Sequence, residues 1–134
     1  MPYDIAIRQD DGFTQVTFHG TTTGRDIIAA TDELLARPDY DAGLDQLWDL
    51  NDVTKLLVGP EEMGELVERD RAHVASGAMG EVHVAIVVAG ELRKLVIHLY
   101  EYQMRASGQH IRLFDEAAEA EAWLRGQRAD RRAS

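Results

Sequence analysis

Val82-His83-Val84-Ala85-Ile86-Val87-Val88 is the stretch on which the fold turns. Apolar at nearly every position, it reads as a central strand buried on both faces, the habit of a parallel sheet covered by helices. Gly90 breaks it, Glu91 through Ala106 reads as a long helix, and Gly108 ends that helix. Gln109-His110-Ile111-Arg112-Leu113-Phe114 is a further strand, after which Asp115 caps a terminal helix carrying Ala118, Ala122, Trp123 and Leu124. On the N-terminal side, Pro60-Glu61-Glu62 opens another helix, proline first and acids in the first turn, with a thin apolar stripe of Met63, Leu66, Val67 and Val74. Before it, Leu44 through Leu50 reads as a strand. Thr23 and Asp26 have the spacing of a capping box for an earlier helix, whose Ile27, Ile28, Thr31, Leu34 and Leu35 share one face and which Pro38-Asp39 stops. Two alternating runs, Tyr3 through Arg8 and Thr14 through His19, flank Asp10-Asp11-Gly12 as a hairpin.

The order β-β-α-β-α-β-α-β-α predicts an α/β fold. Strands separated by helices pair in parallel through right-handed crossovers, so the expected sheet is five-stranded, mixed and mostly parallel, with the first hairpin strand antiparallel at the edge. A chain of 134 residues is the size of one ordinary domain. The expectation is a single domain over residues 1–125, followed by a basic, disordered tail over 126–134, since nothing apolar after Leu124 would tie that end down.

Composition excludes several classes of function. There is no cysteine, which removes disulfides, thiolate metal sites and cysteine nucleophiles together and suits a cytoplasmic protein. The formal net charge of −10 disfavours nucleic acid and anionic membranes as partners. Met1-Pro2-Tyr3-Asp4 has no signal-peptide character, and Val84 through Ala89, the longest apolar run, is far too short to span a bilayer. No glycine-rich phosphate fingerprint accompanies the turn at Gly90-Glu91. Ser76, Ser107 and Ser134 lack a nucleophile-elbow context, and His73 with Glu65 or Asp70 reads as ordinary surface charge. No cofactor is expected.

The Gly20-Thr21-Thr22-Thr23-Gly24-Arg25-Asp26 approach to the first helix, the Val84-Ala85-Ile86-Val87-Val88 strand, and Arg112-Leu113-Phe114-Asp115-Glu116-Ala117 followed by Ala122-Trp123-Leu124 resemble the SpoIIAA-like domains, small bacterial domains grouped with the STAS and CRAL-TRIO-like folds. The resemblance covers residues 3–125 and implies a non-catalytic regulatory or protein-interaction domain. Better-known STAS members are anti-sigma factor antagonists with a phosphorylatable serine at the start of the helix after the third strand. The comparable place here is Leu57-Val58, which holds no hydroxyl. The CRAL-TRIO likeness implies a second possibility, a small apolar ligand lined by Trp48, Tyr100 and Tyr102.

Strand alternation marks one surface for attention. Val16, Phe18, Val84, Ile86, Ile111 and Leu113 fall on one sheet face, and the opposite face displays His19, Asp45, Asp49, His83, His110 and Arg112. If same-handed crossovers place the helices on the apolar face, this second face is solvated, or an interaction surface, or a histidine–carboxylate metal or acid–base site. The candidate polar cluster is therefore His19, Asp49, His83, His110 and Arg112. On the long helix, Leu92, Leu95, Val96, Leu99 and Gln103 form one face, while Ile97, Tyr100 and Met104 widen the apolar surface and are the expected contacts of a homodimer or of an unidentified protein partner.

Overall fold

A computed structural model of the chain describes residues 2–133, without the side chains of Leu92, Arg132 and Ala133. Its elements are β1 (Tyr3–Arg8), β2 (Phe13–Thr23), α1 (Gly24–Leu35), β3 (Asp45–Leu57), α2 (Pro60–Ser76), β4 (His83–Val87), α3 (Glu91–Met104), β5 (His110–Phe114) and α4 (Ala117–Ala133), with short 3-10 turns at Gln9–Asp11 and Arg105–Ser107. The strands form one five-stranded sheet in sequence order. β1 pairs antiparallel with β2, and every later pairing is parallel. This is the α/β architecture that the order of patterns predicts.

Local chemistry accounts for the boundaries. Gly12 takes φ 81° at the hairpin, in the left-handed region that glycine enters without a Cβ penalty. Thr23 and Asp26 make the reciprocal capping box: the Asp26 N–H donates to Thr23 Oγ1 (3.2 Å) and the Thr23 N–H to Asp26 Oδ2 (2.9 Å). In α2 the Gly59 N–H donates to Glu62 Oε1 at 3.3 Å, behind Pro60 at the first helical position.

β2 and β3 are longer than the alternation alone indicates. Gly20 through Thr23 and Asn51 through Leu57 continue as paired strands, with register shifts between Thr17 and His19 and between Gly20 and Thr21. The bulges reset the period of two, so the pattern is lost in the sequence while the ladder persists.

Because β2 to β5 succeed one another across the sheet, right-handed crossovers carry α1, α2 and α3 to one face. There Val16, Phe18, Val84, Ile86 and Val88 pack with Ala30, Leu34 and Ile97. α4 follows the last strand and closes no crossover, so no handedness rule confines it. It returns over the opposite face, where Ala120 and Leu124 pack on Phe13, Leu47, Ala85 and Val87. The face left open as a solvated surface, an interaction surface or a histidine–carboxylate site is thus in part a second core. The expected disordered tail is likewise corrected as far as Ala133, because α4 continues to that residue. Its basic side chains reach acidic and polar partners: Arg125 meets Asp11 (3.4 Å), Arg128 donates to the Asp10 carbonyl, and Arg131 meets Asp45 (2.6 Å). Ser134 lies outside the described residues.

Candidate ligand cavity and the second-face cluster

Between the sheet and α1–α3 lies a cavity of about 60 Å³. Its walls are mainly apolar: Phe18, Trp48, Leu50, Val84 and Ile86 from the sheet, Ile27 from α1, Met63 and Leu66 from α2, and Val96 and Ile97 from α3. Phe18 and Trp48 stack there at 6.0 Å. Among these walls stand Gln46, Asp70, Tyr100 and Gln109.

The polar groups are only partly satisfied. Trp48 Nε1 donates to Gln46 Oε1 at 2.9 Å, which fixes the amide orientation and leaves Gln46 Nε2 buried without a protein partner. The Tyr100 hydroxyl donates to Asp70 Oδ2 at 2.6 Å, while Asp70 Oδ1 is buried and unpartnered. Arg69, the neighbour of Asp70 in sequence, instead engages Asp32 at 2.7 and 2.8 Å. Burial pushes the Asp70 carboxyl up to about 6, opposed by the Tyr100 hydrogen bond and the Arg69 charge and assisted by the Asp32 charge. Burial, together with the Asp70 charge, pushes the Tyr100 phenol well above its usual value.

Asp70 is the residue that sequence reasoning misplaced on the surface; it is 5% exposed. A signal was available. Met63, Leu66, Val67 and Val74 define the apolar stripe of α2, and Asp70 occupies the next place on that stripe. Of the aromatic residues expected around an apolar ligand, Trp48 and Tyr100 line the cavity, whereas Tyr102 is exposed.

The polar residues expected together on the second face divide. His83 stacks on His110 (centroids 4.9 Å apart), Trp123 sets its ring against His83 at 5.4 Å, and the Arg112 guanidinium lies 5.3 Å from the Phe114 ring and 6.0 Å from that of Trp123. Beneath them Asp45, 1% exposed, accepts the His83 backbone N–H at 3.0 Å and Arg131 through both oxygens at 3.3 and 2.6 Å. His83 Nδ1 sits 3.7 Å from Asp45. Burial depresses the His83 pKa, aided by the neighbouring His110 and Arg131 and opposed by Asp45. His19 is elsewhere, beside Asp4 (3.4 Å) on the β1–β2 hairpin, and Asp49 accepts the Asn51 backbone N–H at 3.0 Å. Among the described residues, no three His, Asp or Glu side chains are grouped to hold a metal ion.

The helix face expected to make a dimer is corrected by the same burial. Ile97 and Met104 are core residues, and Tyr100 points its hydroxyl to Asp70. The residues of α3 that face outward are Leu95, Leu99 and Tyr102, exposed by 67%, 52% and 67%. α3 carries apolar residues around most of its circumference, so periodicity left its rotation open.

No family model matches this chain, and no curated protein is similar to it. Among solved structures it is similar to an uncharacterized protein of the DUF3478 family, with a SpoIIAA-like fold, from Shewanella loihica PV-4. That likeness has a TM-score of 0.57 at 18% identity and covers 91% of each chain. The fold of this protein is SpoIIAA-like. No helix among the described residues is long and apolar enough to cross a membrane.

Proposed function

We propose that this SpoIIAA-like domain acts by binding rather than by catalysis, and that its ligand is a small, largely apolar molecule with a polar head, held between the sheet and α1–α3. The observation that carries this reading is the cavity itself: Asp70 and Gln46 stand among its mainly apolar walls, and each has a buried atom, Oδ1 and Nε2, that the protein leaves unpaired. Buried polar groups are ordinarily satisfied, and sites for small molecules combine apolar walls with a few convergent polar atoms. The lack of cysteine is compatible with work in the cytoplasm. A serine-phosphorylation switch has no place in this reading, since Leu57-Val58-Gly59 joins β3 to α2 without a hydroxyl.

The test is to purify the wild type and a Val96→Phe variant, which places a larger side chain on the cavity wall, and to compare their organic extracts by mass spectrometry. A small compound should be enriched with the wild type and absent from the variant. Identical extracts from two equally folded proteins refute the reading.

A second reading has its own support. Leu95, Leu99 and Tyr102 recur at helical spacing on the outer side of α3, an apolar ridge suited to a second copy of the chain or another protein. Sedimentation of the wild type should show a dimer that Leu95→Lys with Leu99→Lys converts to monomer. A wild type that remains monomeric at its highest soluble concentration removes the self-association reading.

A further inference from the structure

We propose that the head group taken by the cavity is an uncharged hydroxyl, and that ligands headed by a carboxylate are rejected at neutral pH. The inference rests on the reading of the cavity as a ligand site and names its chemistry.

The two unpartnered atoms are complementary in kind. Asp70 Oδ1 only accepts, and Gln46 Nε2 only donates, its amide being oriented by the Trp48 N–H on the other side. A hydroxyl donates one hydrogen bond and accepts another, so it is the head group whose capacities match both atoms in kind. An ammonium gains the attraction of the Asp70 charge, but it has three donors and no acceptor, leaves Gln46 Nε2 unpaired and must itself be stripped of water, a cost that offsets the attraction. A carboxylate meets the Asp70 carboxylate in an apolar enclosure, where like charges repel strongly. The charged groups nearest Asp70 do not change this ranking. Arg69 is turned to Asp32, and the Tyr100 hydroxyl already serves Asp70 Oδ2.

Size limits the rest of the ligand. A cavity of about 60 Å³ is less than half of the roughly 150 Å³ that accommodates benzene. It encloses a head and about two or three carbons, with Met63 and Met79 as flexible wall residues able to yield to more.

The experiment compares 1-propanol, propylammonium and propionate, three heads on similarly short chains, by amide chemical-shift titration of the full chain at about pH 7.5, where Asp70 is ionised. Xenon serves as a headless probe of the cavity. Propanol is expected to shift the resonances of cavity residues and to bind at least about a hundredfold more tightly than propionate. In Asp70→Asn, propionate should recover most of that deficit. Tighter binding of propionate or propylammonium than of propanol overturns the proposal. If xenon enters and none of the three heads does, the head-group proposal falls while the cavity reading stands. If xenon also leaves the cavity resonances unmoved, both fall.

Discussion

Asp70→Asn should stabilise this protein at neutral pH, and the gain should appear only as the pH rises. The Asp70 carboxyl is held at about 6 against an ordinary 3.8, principally by burial. Between those values the folded chain binds a proton that the unfolded chain has released, so folding stability from this group falls with rising pH and is lowest above the folded value. At about 1.4 kcal/mol for each tenfold change in the proton equilibrium, the displacement costs about 3 kcal/mol at pH 7 and above. Asparagine is nearly isosteric, keeps an oxygen for the Tyr100 hydroxyl and carries no charge. Urea unfolding of wild type and variant should therefore show a stability difference that grows by about 2 kcal/mol in favour of the variant between about pH 4 and about pH 7.5. Taking the difference cancels other groups that titrate in the same range. The carboxyl carbon of Asp70, followed directly by NMR, should titrate near 6, and Tyr100→Phe should move that midpoint upward by removing the donor that favours the charged form. A difference that stays flat across the pH range would refute the account of Asp70 as a buried carboxylate that opposes folding.

Arg131→Ala leaves Asp45 with the His83 backbone N–H but without its cation. Breaking a buried pair costs about 3–5 kcal/mol; with Arg131 45% exposed, a loss of about 2 kcal/mol is expected in urea unfolding. A loss below about 0.5 kcal/mol would place the contact among surface ion pairs of little consequence. His83 titrates in the opposite sense to Asp70. With its folded pKa depressed below the ordinary 6.5, the unfolded chain takes up the proton first, so its contribution is present above 6.5 and is lost as the pH falls through the depressed value. His83→Gln should reduce the loss of stability on acidification from 6.5, and an unchanged slope would show that His83 is not held neutral by its surroundings. The charges facing it are Asp45, His110 and Arg131, so Arg131→Ala should also raise the His83 midpoint.

The strands and crossovers were legible because each is written in a short window. Val84 through Val87 is apolar because both of its faces are covered, and Thr23 with Asp26 caps α1 by a local reciprocal bond. What the windows do not contain is the placement of elements by long-range contacts. Arg125, Arg128 and Arg131 read as a solubilising tail until α4 lies across the sheet and meets Asp11, the Asp10 carbonyl and Asp45. In α3, Ile97 and Met104 are no more apolar than Leu95 and Leu99, so only packing decides which pair is core. The candidate site fell between these cases. Trp48 and Tyr100 were identifiable as aromatics available to a ligand, but the chemistry depends on Asp70, whose charge argues for solvent while its position argues for the core. The position prevails: the spacing from Leu66, Val67 and Val74 is set by the helix, and the sequence cannot turn Asp70 outward without turning that stripe outward with it. A carboxylate on the apolar stripe at a cost to stability is the trace that the proposed binding role would leave in a sequence, and it carries more weight here than His19, His83 and His110, whose residue type alone drew attention to them.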